Sequence, residues 1–295
     1  MIKLNKILLL IIIFFLCNKT FAADLKTEFN NRILSKINQF SDNLVDGIAD
    51  GLRENEKVKH FDISLDLQDK LKPSIEIQSV NKIREDNNGA IFNQTNFVFH
   101  DSDATLNFGI GKRNLFNDDK LMIGSNLFVD FHIDESHLRT GAGIEVISSV
   151  FDLTGNYYNA ISGFKVTREG REKALDGYDL QIDYHIGKST DIFMYSYEWE
   201  NPNSDFEDKG NKFGLNSQIG NLNVQVGYLN DNQNTDGIFG SLKLVVPLGG
   251  ENSKNVNVKN ESSKFASVRH KLYMPVKREN KIKVVKISGV SVSGF

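Results

Sequence analysis

From about residue 58 onward, apolar and polar side chains alternate one for one, and the alternation persists for nearly 190 residues. Between Lys120 and Asp134, the apolar set Leu121, Ile123, Leu127, Val129, Phe131 and Ile133 interleaves with Gly124, Asn126, Asp130, His132 and Asp134. A period of two belongs to a strand with one greasy face and one polar face. The same pattern returns at Phe61, Ile63, Leu65 and Leu67, at Tyr178, Leu180, Ile182, Tyr184 and Ile186, and at Leu222, Val224, Val226 and Tyr228. It predicts twelve strands, at 58–68, 73–85, 90–101, 103–114, 120–134, 137–148, 151–162, 176–187, 190–200, 210–219, 221–230 and 236–248. Upstream the period changes: Leu25, Phe29, Ile33, Ile37, Phe40, Leu44, Ile48 and Leu52 recur every three or four positions, which predicts an amphipathic helix within 23–57.

The first residues read as an export signal over 1–22. Lys3 and Lys6 precede the apolar run Ile7–Cys17, and Thr20-Phe21-Ala22 supplies the small-residue cleavage site. Eleven apolar residues are too few to span a bilayer. Cys17, the single cysteine, leaves with the signal, so thiolate metal sites and cysteine nucleophiles are excluded from the exported chain. No later apolar stretch is long enough for a membrane helix, so a membrane protein of this sequence can only be a barrel.

A β-sandwich also alternates, and the content of the polar faces separates the two. Gly109, Gly111, Arg113, Gly124, Asn126, Asp130, Arg139, Gly141, Gly143 and Glu145 place charges of both signs beside glycines on neighbouring strands. An enclosed, networked lumen needs that mixture, and the fold class predicted is all-β, a transmembrane barrel. Turn lengths alternate as well: 148–150, 187–190 and 219–221 are tight, whereas 163–175, 201–209 and 229–235 are long. Outer-membrane barrels keep short turns in the periplasm and long loops outside, which puts the upstream helix in the periplasm, docked at the barrel mouth or its partner machinery.

Composition narrows the function. With 295 residues, a net charge of −3 and a charged fraction of 25%, neither a nucleic-acid-coating protein nor an acidic disordered chain is indicated. Asp130, His132 and Asp134 share a face and His137 follows across a turn, a set that could suit a hydrolase dyad or a metal. No serine elbow or HExxH motif accompanies it, and no enzyme, metal or cofactor is predicted.

Three consecutive strands carry a more specific signal. Asn107-Phe108-Gly109-Ile110-Gly111-Lys112-Arg113, then Met122-Ile123-Gly124-Ser125-Asn126-Leu127-Phe128-Val129-Asp130, then His137-Leu138-Arg139-Thr140-Gly141-Ala142-Gly143-Ile144-Glu145 resemble the β-domain of the intimin/invasin family, the inverse autotransporters. Asn156-Tyr157-Tyr158 and Gly177-Tyr178-Asp179-Leu180 are similar to further strands of that family, and the resemblance spans roughly 58–250. It implies an outer-membrane location, type V secretion, a role in cell adhesion, and as partners the outer-membrane lipids, the barrel-assembly machinery and periplasmic chaperones. It assigns no host ligand.

On the residues themselves, the lumen glycines leave room into which Arg113 and Arg139 extend toward Asp130, Glu145 or Asp179. The tail, 251–295, holds ten Lys or Arg against three Glu, and Leu272–Lys286 is similar to the family's post-barrel linker. It is expected to follow the barrel without passenger domains. Its charge of +7 against −13 for 23–250 predicts that 251 to about 270 re-enter the lumen, with a small hairpin turning outside near Asn280. The chain so read threads its own short tail to the surface. A passenger-less pore and a soluble exported β-sandwich are the competing classes.

Overall fold

The computed structural model describes Leu52 and residues 55–69, 71–100, 103–167, 170–187, 189–201, 204–246, 248 and 266–287. The export signal and nearly all of the upstream helix fall outside the described residues. Fifteen strands are present among them: β1 (Val58–Gln68), β2 (Ser74–Asp86), β3 (Gly89–His100), β4 (Asp103–Phe116), β5 (Leu121–His132), β6 (Leu138–Ser148), β7 (Phe151–Ala160), β8 (Lys165–Thr167), β9 (Gly170–Ala174), β10 (Asp176–His185), β11 (Thr190–Glu200), β12 (Glu207–Ile219), β13 (Leu222–Asp231), β14 (Gly237–Val246) and β15 (Val284–Ile287).

Twelve of these close an antiparallel barrel in the order β1-β14-β13-β12-β11-β10-β7-β6-β5-β4-β3-β2. The twelve predicted segments match them within a few residues. Parity behaves as the alternation demands: along β5 nearly every second residue is buried, with Leu127 67% exposed and Asp130 fully buried. Ile123, Val129 and Phe131 share the exposed outer face. A barrel has no edge strands, so every β-ladder is satisfied within the wall, the condition for crossing hydrocarbon.

The two ends differ. Turns β2–β3, β6–β7 and β12–β13 are two residues each, whereas β7–β10, β11–β12 and β13–β14 are joined by longer segments. In the β4–β5 turn Asn117, Asp118 and Asp119 all take positive φ, 53°, 54° and 65°, a conformation Asn and Asp tolerate better than other side chains. Beyond the twelve strands, β15, β9 and β8 form a second, three-stranded sheet at the long-loop end. The β8–β9 hairpin occupies the segment read from sequence as a plain long loop.

Candidate functional site

Strands β4, β5 and β6 place the predicted polar residues side by side. Asp130 lies opposite Asn107 on β4 and Arg139 on β6, and Gly124 lies between Arg113 and Glu145. Arg113 donates to both carboxylate oxygens of Glu145, at 2.7 and 2.9 Å, and Arg139 Nε donates to Asp130 at 2.8 Å. Asn107 Nδ2 donates to the same Asp130 at 2.7 Å. Asp179 does not reach either arginine's hydrogen bonds as the sequence allowed; it accepts from Asn156 Nδ2 at 2.7 Å and Tyr158 Oη at 2.6 Å. Asn126 is buried beside Asn156 over Gly143.

The lumen glycines do make room, but for a different occupant than predicted. A Cβ at Gly109 would run into the Phe128 ring and one at Gly111 into the Phe92 ring; at Gly124 it would meet the Glu145 carboxyl group. The rings reach over glycines of the neighbouring strand, and guanidinium groups stand over them. Arg113 sits 4.7 Å from the Phe92 centroid and Arg139 4.5 Å from that of Tyr158, which itself covers Gly141. Glycine, ring and cation thus form three layers inward from the wall, an arrangement that adds cation–π attraction to the ion pairs. An arginine laid directly on the glycines, as the spacing invited, would forgo that ring face.

The post-barrel residues lie against this wall. Val268 N–H donates to Asp119 O and Arg269 pairs with Asp119 at 2.8 Å, both in the β4–β5 turn at the short-turn end. Farther along, Arg113 Nη1 donates to the carbonyls of Lys271, Leu272 and Met274, at 3.2, 2.8 and 2.6 Å. Val276 N–H reaches Gln94 Oε1 at 2.8 Å. Arg278 stacks 4.1 Å from the Phe128 centroid and binds both oxygens of Asp130. Glu279 N–H donates to Tyr158 Oη, and Arg139 donates to the carbonyls of Glu279 and Lys281. Asn280 Nδ2 donates to Glu76 Oε1 at 2.7 Å. Lys283 O accepts from Leu175 N–H, and Val284–Ile287 then pairs with Arg171–Ala174 of β9.

One expectation is corrected here. Asn280 is buried among wall side chains and does not turn a hairpin outside. Of 251–270, residues 251–265 lie outside the described residues; Val268 already packs on the inner wall near the short-turn end, and the wall contacts run on to Lys283. Apolar packing explains where the tail sits. Val268 and Leu272 cluster with inward-facing Ala90, Leu115, Met122 and Ile147, and Val276 clusters with Val80, Phe92 and Phe128.

Asp130, His132, Asp134 and His137 are not brought together as a reaction centre. Asp130 is taken by arginines, Asp134 accepts from Ala104 N–H, and His132 pairs with Glu135 at 2.9 Å. His137 bridges Ser162 Oγ, at 2.9 Å, and Glu172 Oε1 of β9, at 3.0 Å. Burial, together with nearby His132 and Lys165, holds this imidazole down at about 4, so it is neutral: Nε2–H donates to Glu172 and Nδ1 accepts from Ser162. The Ser162 oxygen accepts in turn from Leu138 N–H at 3.2 Å, and the set ties the β8–β9 hairpin to the top of β6.

The chain matches the family described as inverse autotransporter, beta-domain, over residues 17–280. The chain belongs to the inverse autotransporter β-domain family. An Escherichia coli K12 protein, the "Putative attaching and effacing protein homolog", is 29% identical over 89 residues, which is 29% of this inverse autotransporter chain and 30% of that protein. The chain therefore aligns with less than a third of that relative's length. Among solved structures, a membrane-protein chain from work on in-meso crystallization of membrane proteins superposes with a TM-score of 0.63 at 18% identity, covering 76% of this chain and 98% of that one. The KdgM porin covers 63% of this chain and 98% of its own, with a TM-score of 0.45 and 13% identity. Family and fold are those of an outer-membrane barrel of adhesin-type proteins, and this inverse autotransporter barrel is an outer-membrane protein.

Proposed function

We propose that the protein anchors in the outer membrane of a Gram-negative bacterium and leads its own C-terminal segment through the lumen to the cell surface. The short-turn end faces the periplasm in this reading, where the export signal delivers the chain to periplasmic chaperones and the barrel-assembly machinery. The observation that carries it is the span of the tail: Val268 and Arg269 bond to Asp119 at the short-turn end, and Val284–Ile287 pairs with β9 at the other. The twelve residues from Leu272 to Lys283 bridge the distance. Leu272 to Met274 form a turn, and from Pro275 on, at ~3.3 Å per extended residue, the chain covers the ~30 Å of hydrocarbon. Arg113 caps the carbonyls of the helical turn at Lys271 to Met274, and Arg139 holds carbonyls of the extended stretch beyond it, which has no sheet partner of its own; a lumen built around a passing chain requires such partners. The attachment named for the Escherichia coli relative is consistent with a surface role in adhesion.

An epitope tag placed after Phe295 tests the reading. Protease added to intact cells should remove it. A tag protected until the outer membrane is permeabilised would leave the tail's end in the periplasm and overturn surface display.

A further inference from the structure

The tail leans on β2 to β7 and β10, and the opposite side of the lumen is hollow. A cavity of ≈ 220 Å³ lies between tail residues Arg278–Lys281 and the inner faces of β1, β2 and β11 to β14. That is below the ~300 Å³ at which pockets take drug-sized ligands, so it suits a molecule the size of an amino acid or a single sugar.

Its chemistry is lopsided. Lys212 stands with Nζ 5.3 Å from the Phe239 centroid and 5.7 Å from that of Tyr195. Among the described residues the side-chain amines of Lys212 and Lys281 and the Gln225 amide have no hydrogen-bond or ion-pair partner, and all three line the cavity. The ammonium groups of Lys212, Lys281 and Lys283 act on the carboxylate of Glu279, Asp66 also acts on Lys212, and Glu76 lines the same cavity. Glu279 is shared by three lysines, so neither Lys212 nor Lys281 has a carboxylate to itself, inside a wall of low dielectric that concentrates their field. An ammonium removed from bulk water without a partner is unfavourable, and a guest carboxylate relieves it.

We propose that this cavity binds a small hydrophilic carboxylate: the carboxylate between Lys212 and Lys281, a polar group on Gln225, and the carbon skeleton against Tyr195. The inorganic-anion alternative lacks any use for the aromatic face and the amide. The proposal needs the tail seated in the lumen but not its display outside the cell, so the protease experiment and the one below fail independently.

The test is titration calorimetry on the full exported chain, folded in detergent micelles, with sodium galacturonate and with galactose, two sugars that differ in one carboxylate. Galacturonate should bind, and galactose at least tenfold more weakly. Lys212→Gln and, separately, Gln225→Ala should each weaken galacturonate by tenfold or more, with the heat-dependent gel shift confirming that both variants are folded. No heat with galacturonate, equal affinity for galactose, or unchanged affinity in folded Lys212→Gln would each overturn the proposal. Binding of inorganic phosphate as tight as galacturonate would overturn the organic part and leave a plain anion site.

Discussion

Arg278 of the tail and Asp130 of β5 meet through two hydrogen bonds, 2.9 and 2.7 Å long, with both side chains almost fully buried. The same carboxylate also accepts from Arg139 on β6 and from Asn107 on β4. One acid therefore joins three parts of the molecule: two neighbouring wall strands and the segment that lies against them. Bidentate guanidinium–carboxylate geometry fixes direction as well as distance, so Asp130 sets the height at which the tail docks.

Asp130→Asn should be the most damaging single change in this cluster, because it strands two buried guanidinium groups at once. Breaking a buried pair by removing one partner costs about 3 to 5 kcal/mol. Arg278→Met leaves Asp130 paired with Arg139 and should lower the barrel's melting temperature less than Asp130→Asn does. Thermal melts of both variants and the double variant, followed by circular dichroism, check the order; equal losses would mean that water replaces the tail arginine.

The glycine layer makes a sharper prediction. Gly111→Ala places a Cβ into the Phe92 ring, which cannot retreat because Arg113 lies on its other face. Overpacking of that kind costs about 1 to 3 kcal/mol. At Gly155 the nearest atoms to an added Cβ are Leu180 Cδ1 at 3.7 Å and Asp179 O at 3.9 Å, so Gly155→Ala should fall within about 0.5 kcal/mol of the parent. Comparable losses at the two sites would show that the ring over Gly111 moves freely.

Wall parity can be read with spin labels. A label at Leu127 should be relaxed by oxygen dissolved in lipid, and one at Gln225, which lines the cavity, by a water-soluble nickel chelate. The opposite pattern would require the strand register to be shifted by one residue, since such a shift moves every side chain to the other face.

The hairpin anchor should be acid-sensitive. The His137 imidazole is held at about 4, below its ordinary 6.5, so its contribution is complete above ~6.5 and fades as pH falls toward 4. Protonation removes the lone pair that accepts from Ser162 and puts a charge in a buried place. Amides of Lys165–Ala174 should exchange faster at pH 4.5 than at pH 7, after correction for intrinsic rates, while amides of β5 should not change. Unchanged hairpin exchange would place its anchoring elsewhere.

The barrel was legible because a two-sided wall writes itself into a two-residue period: lipid selects Leu127 and Val129 outside, and the network selects Asn126 and Asp130 inside. The pairing of Arg113 and Arg139 with carboxylates two and one strands away could be narrowed by the same parity. What the period could not show was the second sheet. β8 has three residues and β9 reads Gly-Arg-Glu-Lys-Ala, with no apolar alternation, because its partner is a tail strand distant in sequence. The seat of the tail was only partly legible, for a physical reason. A polar lumen was assumed to want a polar guest, and Asn- and Ser-rich 251–270 fitted. In fact the inner wall carries Val80, Phe92, Met122 and Phe128, and it selects the stretch whose Leu272 and Val276 match them and whose Arg278 matches Asp130.

The direction of β15 along β9 has a mechanical consequence. Val284, beside Ala174, lies nearest the barrel, and Ile287, beside Arg171, lies farthest from it. β9 is tethered through Ala174 to β10, while Ile287 stands at the far end of the pair. A force drawing Ile287 away from the barrel therefore acts on the two strands from opposite ends, loading all their hydrogen bonds together in shear instead of peeling them one at a time. Only when that clasp slides does tension reach Arg278 and Asp130, so the protein resists traction with two grips in series.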